Sequence, residues 1–255
     1  MNEKLLKKEY LKKISELQKY NFAYYDKSAP IISDSEYDEL KQEIIIFEKK
    51  YSFLKDINSP SLTVGFKPSK NFKKIKHKVP MLSLSNAFDK EDLINFEKRI
   101  INYLDKKNDF KIEYSAEPKI DGISASLIYR DGKFITGLSR GDGKEGEDIT
   151  ENLKTIKDIP NKILAKDFPK EIDIRGEVFI KNSDFEKLSN KFANPRNAAS
   201  GSLRQKNSEE TKKIPLKFIA YTFGFEKNMK INFQNEYLKN LVKWGFKTNP
   251  LNKTI

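Results

Sequence analysis

The sequence predicts an α+β protein in two parts, a small helical hairpin followed by a larger domain built on antiparallel strands. Three observations carry that expectation. Apolar residues recur at helical spacing through the first fifty positions, a stretch rich in Ser, Pro and Gly (SPSLTVGFKPSKNF, residues 59–72) interrupts the chain, and short strand-like runs joined by a hairpin signal follow it. The boundary falls near residue 70, giving a helical module over 1–70 and a mixed domain over 71–255.

The first helix is expected over 3–25, where Leu6, Tyr10, Ile14 and Leu17 share one face. A second helix is expected over 34–51, its start fixed by Ser33 and by Glu36 three positions later, the pattern of a capping box. Beyond the break, 110–117, 123–129 and 133–139 read as strands, and Asp131-Gly132 between the last two is the pair that type I′ hairpin turns prefer. Residues 171–180 (EIDIRGEVFI) alternate apolar with charged side chains for a whole strand, and 216–225 is another strand. Helices are expected over 90–103, 184–191 and 234–244. No internal repeat or low-complexity tract is present.

Composition excludes more than it names. The chain of 255 residues, 37% hydrophobic, can bury a sizeable core and has no long apolar run to span a membrane. Its basic start is not followed by the apolar block of a secretory signal, so a cytoplasmic location is expected. With no cysteine there is no disulfide, thiolate zinc site or cysteine nucleophile, and with His77 as the single histidine a serine triad is remote; His77 itself is assigned to structure. Chemistry must rest on lysine, carboxylates and arginine. The net charge of +12 suits a polyanionic partner, although 43 of the 49 basic residues are lysine, which composition bias would also produce. The scarce arginines Arg140, Arg175, Arg196 and Arg204 therefore say more, because guanidinium grips phosphate bidentately.

The chemical centre is EPKIDG, residues 117–122, where a strand ends and a turn follows. A lysine there can point into a cleft and act as a nucleophile once its amine is deprotonated. Alone, Lys-x-Asp-Gly is also what a surface lysine beside a β-turn looks like. Five further segments accompany it: HKVPMLSLSNAF (77–88), RGDGKEGEDITEN (140–152), DIRGEVFI (173–180), NPRNAASGSLRQ (194–205) and FIAYTFG (218–224). Together they resemble the NAD-dependent DNA ligases across essentially the whole chain.

That resemblance implies a covalent-ligase (ATP-grasp-like) nucleotidyltransferase domain in which Lys119 becomes adenylated and Glu117 reads the adenine edge. Ser83 and Leu84 match the floor of the nucleotide site, Arg140 the arginine on the ribose and phosphate side, Glu177 the carboxylate on the ribose or its metal, and Tyr221 the aromatic that stacks on adenine. For Tyr221 a plain core position on a strand is the alternative. Asp121 and Gly122 read as architectural, through an Asp-capped turn and a positive φ, and Gly141 and Gly143 as keeping a tight loop beside Arg140.

Lys-x-Asp-Gly does not by itself distinguish NAD from ATP. Asp34, Tyr37 and Asp38 lie on one face of the second helix's first turn, where they either complement the helix dipole or hold a cationic ring. Here YYDKSAPIISDSEYDEL (24–40) resembles the nicotinamide-mononucleotide module of the same family, which implies NAD contacts from Tyr24, Asp34, Ser35, Glu36, Tyr37 and Asp38. Tyr25 stands where some members have histidine. The family further implies Mg²⁺, nicked double-stranded DNA gripped through Arg196 and Arg204, a role in replication and repair, and a monomer. It also implies that the chain is a truncated ligase, with the oligonucleotide-binding barrel and a four-cysteine zinc site lying beyond it.

Overall fold

The computed structural model describes residues 3–23, 31–54, 56–57, 59, 72–107 and 110–255. Helix α1 (Glu3–Asn21) buries Leu6, Tyr10, Ile14 and Leu17, the face that the spacing predicts, and packs on α2 (Asp34–Lys50). The capping box is formed: Glu36 N–H donates to Ser33 Oγ at 3.3 Å and Ser33 N–H to Glu36 Oε2 at 2.8 Å. Tyr10, Ile14, Leu17, Ile44 and Leu54 make this module's own core, and Tyr10 donates to Glu48 at 2.7 Å inside it. Tyr24 and Tyr25, and nearly all of the Ser/Pro/Gly-rich stretch, lie outside the described residues.

The second part opens with β1 (Lys74–Lys76) and α3 (Lys90–Tyr103), the latter where the sequence predicts it and capped by Asp89, whose side chain accepts from Asp92 N–H. The strand expected over 110–117 shrinks to β2 (Ser115–Ala116). Pro118, two residues past its end, has no N–H with which to extend a ladder. Next come β3 (Ile123–Arg130), β4 (Lys133–Ser139), β5 (Glu145–Glu147), α4 (Thr150–Leu153) and β6 (Glu171–Phe179). Asp131 and Gly132 between β3 and β4 have φ of 48° and 72°, the two positive values that a type I′ turn requires.

In place of one helix over 184–191 the chain makes α5 (Asn182–Phe185) and a 3₁₀ turn at Glu186–Leu188. Ser189 Oγ donates back to the Glu186 carbonyl at 2.9 Å, a local bond that competes with helix propagation. The rest is α6 (Pro195–Leu203), α7 (Ser208–Lys212), β7 (Lys217–Lys227), α8 (Gln234–Lys243) and β8 (Lys253–Thr254), the last paired with β2.

The centre is an antiparallel four-stranded sheet in the order β4-β3-β6-β7. Strand β6 is buried on both faces: Ile172, Ile174 and Val178 sit in the main hydrophobic core, while Asp173, Arg175 and Glu177 are equally buried on the other side. Covering the charged face takes a dedicated network. Arg175 Nε donates to Asp173 at 3.1 Å, Ser126 Oγ donates to the same carboxylate, and the guanidinium also donates to the carbonyls of Val79 and Pro80, tying the 77–81 segment down on the sheet. Among the described residues no helix is long and apolar enough to cross a membrane.

Candidate active site

The EPKIDG segment passes close against β6 as it enters β3 because Gly122 allows it. A Cβ on Gly122 would lie 2.3 Å from the Val178 carbonyl oxygen and 2.9 Å from Glu177 Cγ, so only glycine lets the chain pass this close. The glycine is required by proximity; the residues with positive φ nearby are Gly141 (57°) and Gly143 (87°), which hold the loop after Arg140. Asp121 pairs with Arg196 Nη1 at 3.0 Å and so links the segment to α6, a longer reach than the turn cap expected of it.

Glu177 is the hub. The β3–β6 register sets it opposite Ser124, whose hydroxyl donates to Glu177 Oε2 at 2.9 Å. Burial pushes the carboxyl up to about 7; Ser124 and the positive charges of Arg196, Lys119 and Arg140 pull the other way. Tyr221 lies on the neighbouring strand at the irregularity where Arg175 faces Thr222 and Gly176 faces Ala220, so it is the extra residue of a β-bulge, a device that re-aims a side chain. Burial first, and then the charge of Glu177, pushes its phenol up to about 12.

Glu117 is held by two donors on one oxygen, Ser115 Oγ at 3.0 Å and Gln234 Nε2 at 2.8 Å, and Gln234 Nε2 also donates to the Tyr221 carbonyl at 2.7 Å. The Arg140 loop is clamped from behind: His77 N–H donates to the Lys144 carbonyl and Met81 N–H to the Gly143 carbonyl, each at 2.8 Å. His77 Nε2 lies 3.2 Å from the Arg140 carbonyl, and burial lowers the pKa of the ring, as suits a neutral imidazole donating from Nε2 in a structural role.

Ser124, Arg140, Arg196 and Arg204 line one small cavity of about 60 Å³. Glu177 feels the charges of Arg196, Lys119 and Arg140, Tyr221 feels those of Glu177 and Arg140, and Gln234 joins Glu117 to the Tyr221 main chain. Arg204 reaches the same cavity while its Nε donates to Glu147 Oε2 at 2.9 Å, a carboxylate with no solvent exposure. Leu84 is 76% exposed and Ser83 is exposed as well. A broader groove of about 880 Å³, lined in part by Phe168 and Trp244, shares no residue with these.

On α2, Tyr37 donates to Asn21 Oδ1 at 2.8 Å, Asp38 accepts from Asn86 at 3.2 Å, Glu36 is engaged in the cap and Ser35 is exposed. Tyr24 and the side chain of Asp34 lie outside the described residues. Among the described residues no group of three or more His, Asp or Glu could hold a metal. Glu177 is the buried carboxylate of the cluster, a donor set that fits a hard cation taking its other ligands from phosphate and water. Sequence reasoning missed Ser124 and Gln234, whose positions depend on strand register and on the docking of α8.

The α+β fold is that of a ligase adenylation domain preceded by a helical module, and comparison with known proteins identifies the family. The profile of the NAD-dependent DNA ligase adenylation domain matches residues 69–255, and that of the DNA ligase-like N-terminal NAD⁺-binding domain matches 4–65; the chain belongs to the NAD-dependent DNA ligase family. It is 69% identical over 255 residues to a DNA ligase of Pelagibacter ubique (strain HTCC1062), matching all of this chain and 38% of that protein. It is 47% identical over 245 residues to a DNA ligase of Parvibaculum lavamentivorans, across 93% of this chain and 34% of the relative. The chain thus spans little more than a third of the length of these relatives.

Proposed function

We propose that this chain carries the self-adenylation step of an NAD-dependent DNA ligase, with Lys119 as the nucleophile. The observation that carries the reading is Glu177, buried opposite Ser124 in the sheet and within electrostatic reach of Lys119, Arg140 and Arg196. Neutral Lys119 Nζ attacks the α-phosphorus of NAD in line. The new P–N bond forms as the P–O bond to nicotinamide mononucleotide breaks, the leaving phosphate oxygen takes the electron pair, and the amine proton passes to solvent. Glu117 accepts from the adenine amino group, Tyr221 stacks on the base, Arg140 meets the ribose and phosphate, and Ser83 and Leu84 form the floor of the nucleotide site. Glu177 would hold Mg²⁺, which neutralises phosphate charge when bound.

The helical module, 1–70, supplies the nicotinamide end of the site through Tyr24, Asp34, Ser35, Glu36, Tyr37 and Asp38, and 71–255 forms the adenylation domain. In the whole protein, acting as a monomer in the cytoplasm during replication and repair, AMP then passes to the 5′-phosphate of a nick and the 3′-hydroxyl displaces it. Arg196 and Arg204 face the DNA backbone, exchanging part of their present pairing with Asp121 and Glu147 for phosphate. Incubation with NAD and Mg²⁺ followed by peptide mapping tests the nucleophile: AMP should sit on Lys119 and be absent from Lys119→Ala, and labelling that survives the substitution overturns the assignment.

A further inference from the structure

We infer that Gln234 is the positioning residue for base selection, holding Glu117 so that a single oxygen is presented to the purine. The inference rests on the reading of Glu117 as the adenine contact. Gln234 stands at the first turn of α8, far from EPKIDG in sequence, yet its amide nitrogen reaches Glu117 Oε1 at 2.8 Å and the Tyr221 carbonyl at 2.7 Å. Both partners are acceptors, so the nitrogen must face them, and both of its N–H groups are used. Ser115 Oγ donates to the same Glu117 oxygen at 3.0 Å. Among the described residues Oε1 is thus doubly held, and Oε2 is left as the acceptor that can meet a ligand. An ionised carboxylate only accepts, so Oε2 favours a purine with an amino group at C6 and repels one with a carbonyl there.

The second bond of Gln234 matters as much as the first. By gripping the main chain of Tyr221, one amide joins the residue that reads the edge of the base to the strand position whose ring stacks on its face. Loss of the donor should free Glu117 to rotate and blur the distinction between purines, while Lys119, Arg140 and Glu177 keep their places.

The test is equilibrium binding of AMP and of inosine 5′-monophosphate to the whole 255-residue chain, by calorimetric titration, with wild type, Gln234→Met, Gln234→Glu and Glu117→Gln. Methionine keeps the length and helix preference of glutamine without its donors. Wild type should prefer AMP by about tenfold or more, Q234M should lower that ratio to near unity with an unchanged thermal midpoint, and Q234E, which sets two carboxylates together, should do the same. If wild type and Q234M discriminate equally while E117Q does not, Gln234 has no positioning role and the Glu117 reading stands. If wild type shows no preference, the Glu117 reading falls and this inference with it. Loss of folding in both Gln234 variants, judged by circular dichroism, would make the residue structural and overturn the proposal.

Discussion

The Ser124 hydroxyl donates to Glu177 Oε2 across 2.9 Å, from directly opposite it in the pairing of β3 with β6. That single bond is modest compensation for a carboxylate only 9% exposed, and burial leaves the folded-state pKa near 7 against an ordinary 4.5. Because the folded pKa is the higher one, the associated stability is complete below about pH 4.5 and is lost as pH rises through 7. The shift corresponds to something on the order of 3 kcal/mol. Glu177→Gln should therefore be more stable than wild type at pH 8 and about equal to it at pH 5, read from urea unfolding at both values. The same substitution should depress AMP labelling, because the ionised carboxylate is the form that serves a cation. A stability difference that does not change with pH would contradict the buried, proton-holding carboxylate.

Arg204 makes a different prediction. Its partner Glu147 has no solvent exposure, so removing the guanidinium strips a fully buried carboxylate of this counter-charge. Arg204→Ala should cost about 2–3 kcal/mol in unfolding free energy, and adding Glu147→Gln should recover part of it. If Arg204→Ala weakened binding to nicked duplex with no loss of stability, the arginine would be acting at the DNA alone.

Gly122→Ala tests the close passage that brings Lys119 to the cluster. A methyl group 2.3 Å from the Val178 carbonyl cannot be accommodated without moving backbone. The variant should lose about 1–3 kcal/mol and adenylate Lys119 at least tenfold more slowly, since displacement of a nucleophile by an ångström is felt strongly. Wild-type labelling by a stably folded Gly122→Ala would show that the approach is not needed.

How much of this could be read beforehand depended on whether the cause was local. The start of α2 was legible because Ser33 and Glu36 satisfy each other within four residues, and the β3–β4 hairpin because Asp131-Gly132 prescribes its own turn. Helix α3 falls over the range the sequence predicts, with Asp89 as its cap. The burial of Asp173, Arg175 and Glu177 was hidden, because alternation in sequence says which residues share a face and not what covers it; the 77–81 segment does the covering. Ser124 and Gln234 were hidden for a related reason: one is defined by register, the other by a helix docking more than a hundred residues downstream. Among the described residues the three-residue strands β1 and β5 pair only with each other, and they are too short for a period to emerge. Segment 110–114 read as extended, yet among the described residues its ladder bonds are those of Tyr114 with Ile255.

The most direct test of the account is intact-mass analysis of the purified chain after incubation with Mg²⁺ and either NAD or ATP. One added AMP from NAD and none from ATP is the predicted result, uniting the Lys119 cluster with the helical module that would recognise nicotinamide mononucleotide. Addition from ATP, or none from NAD, would contradict it.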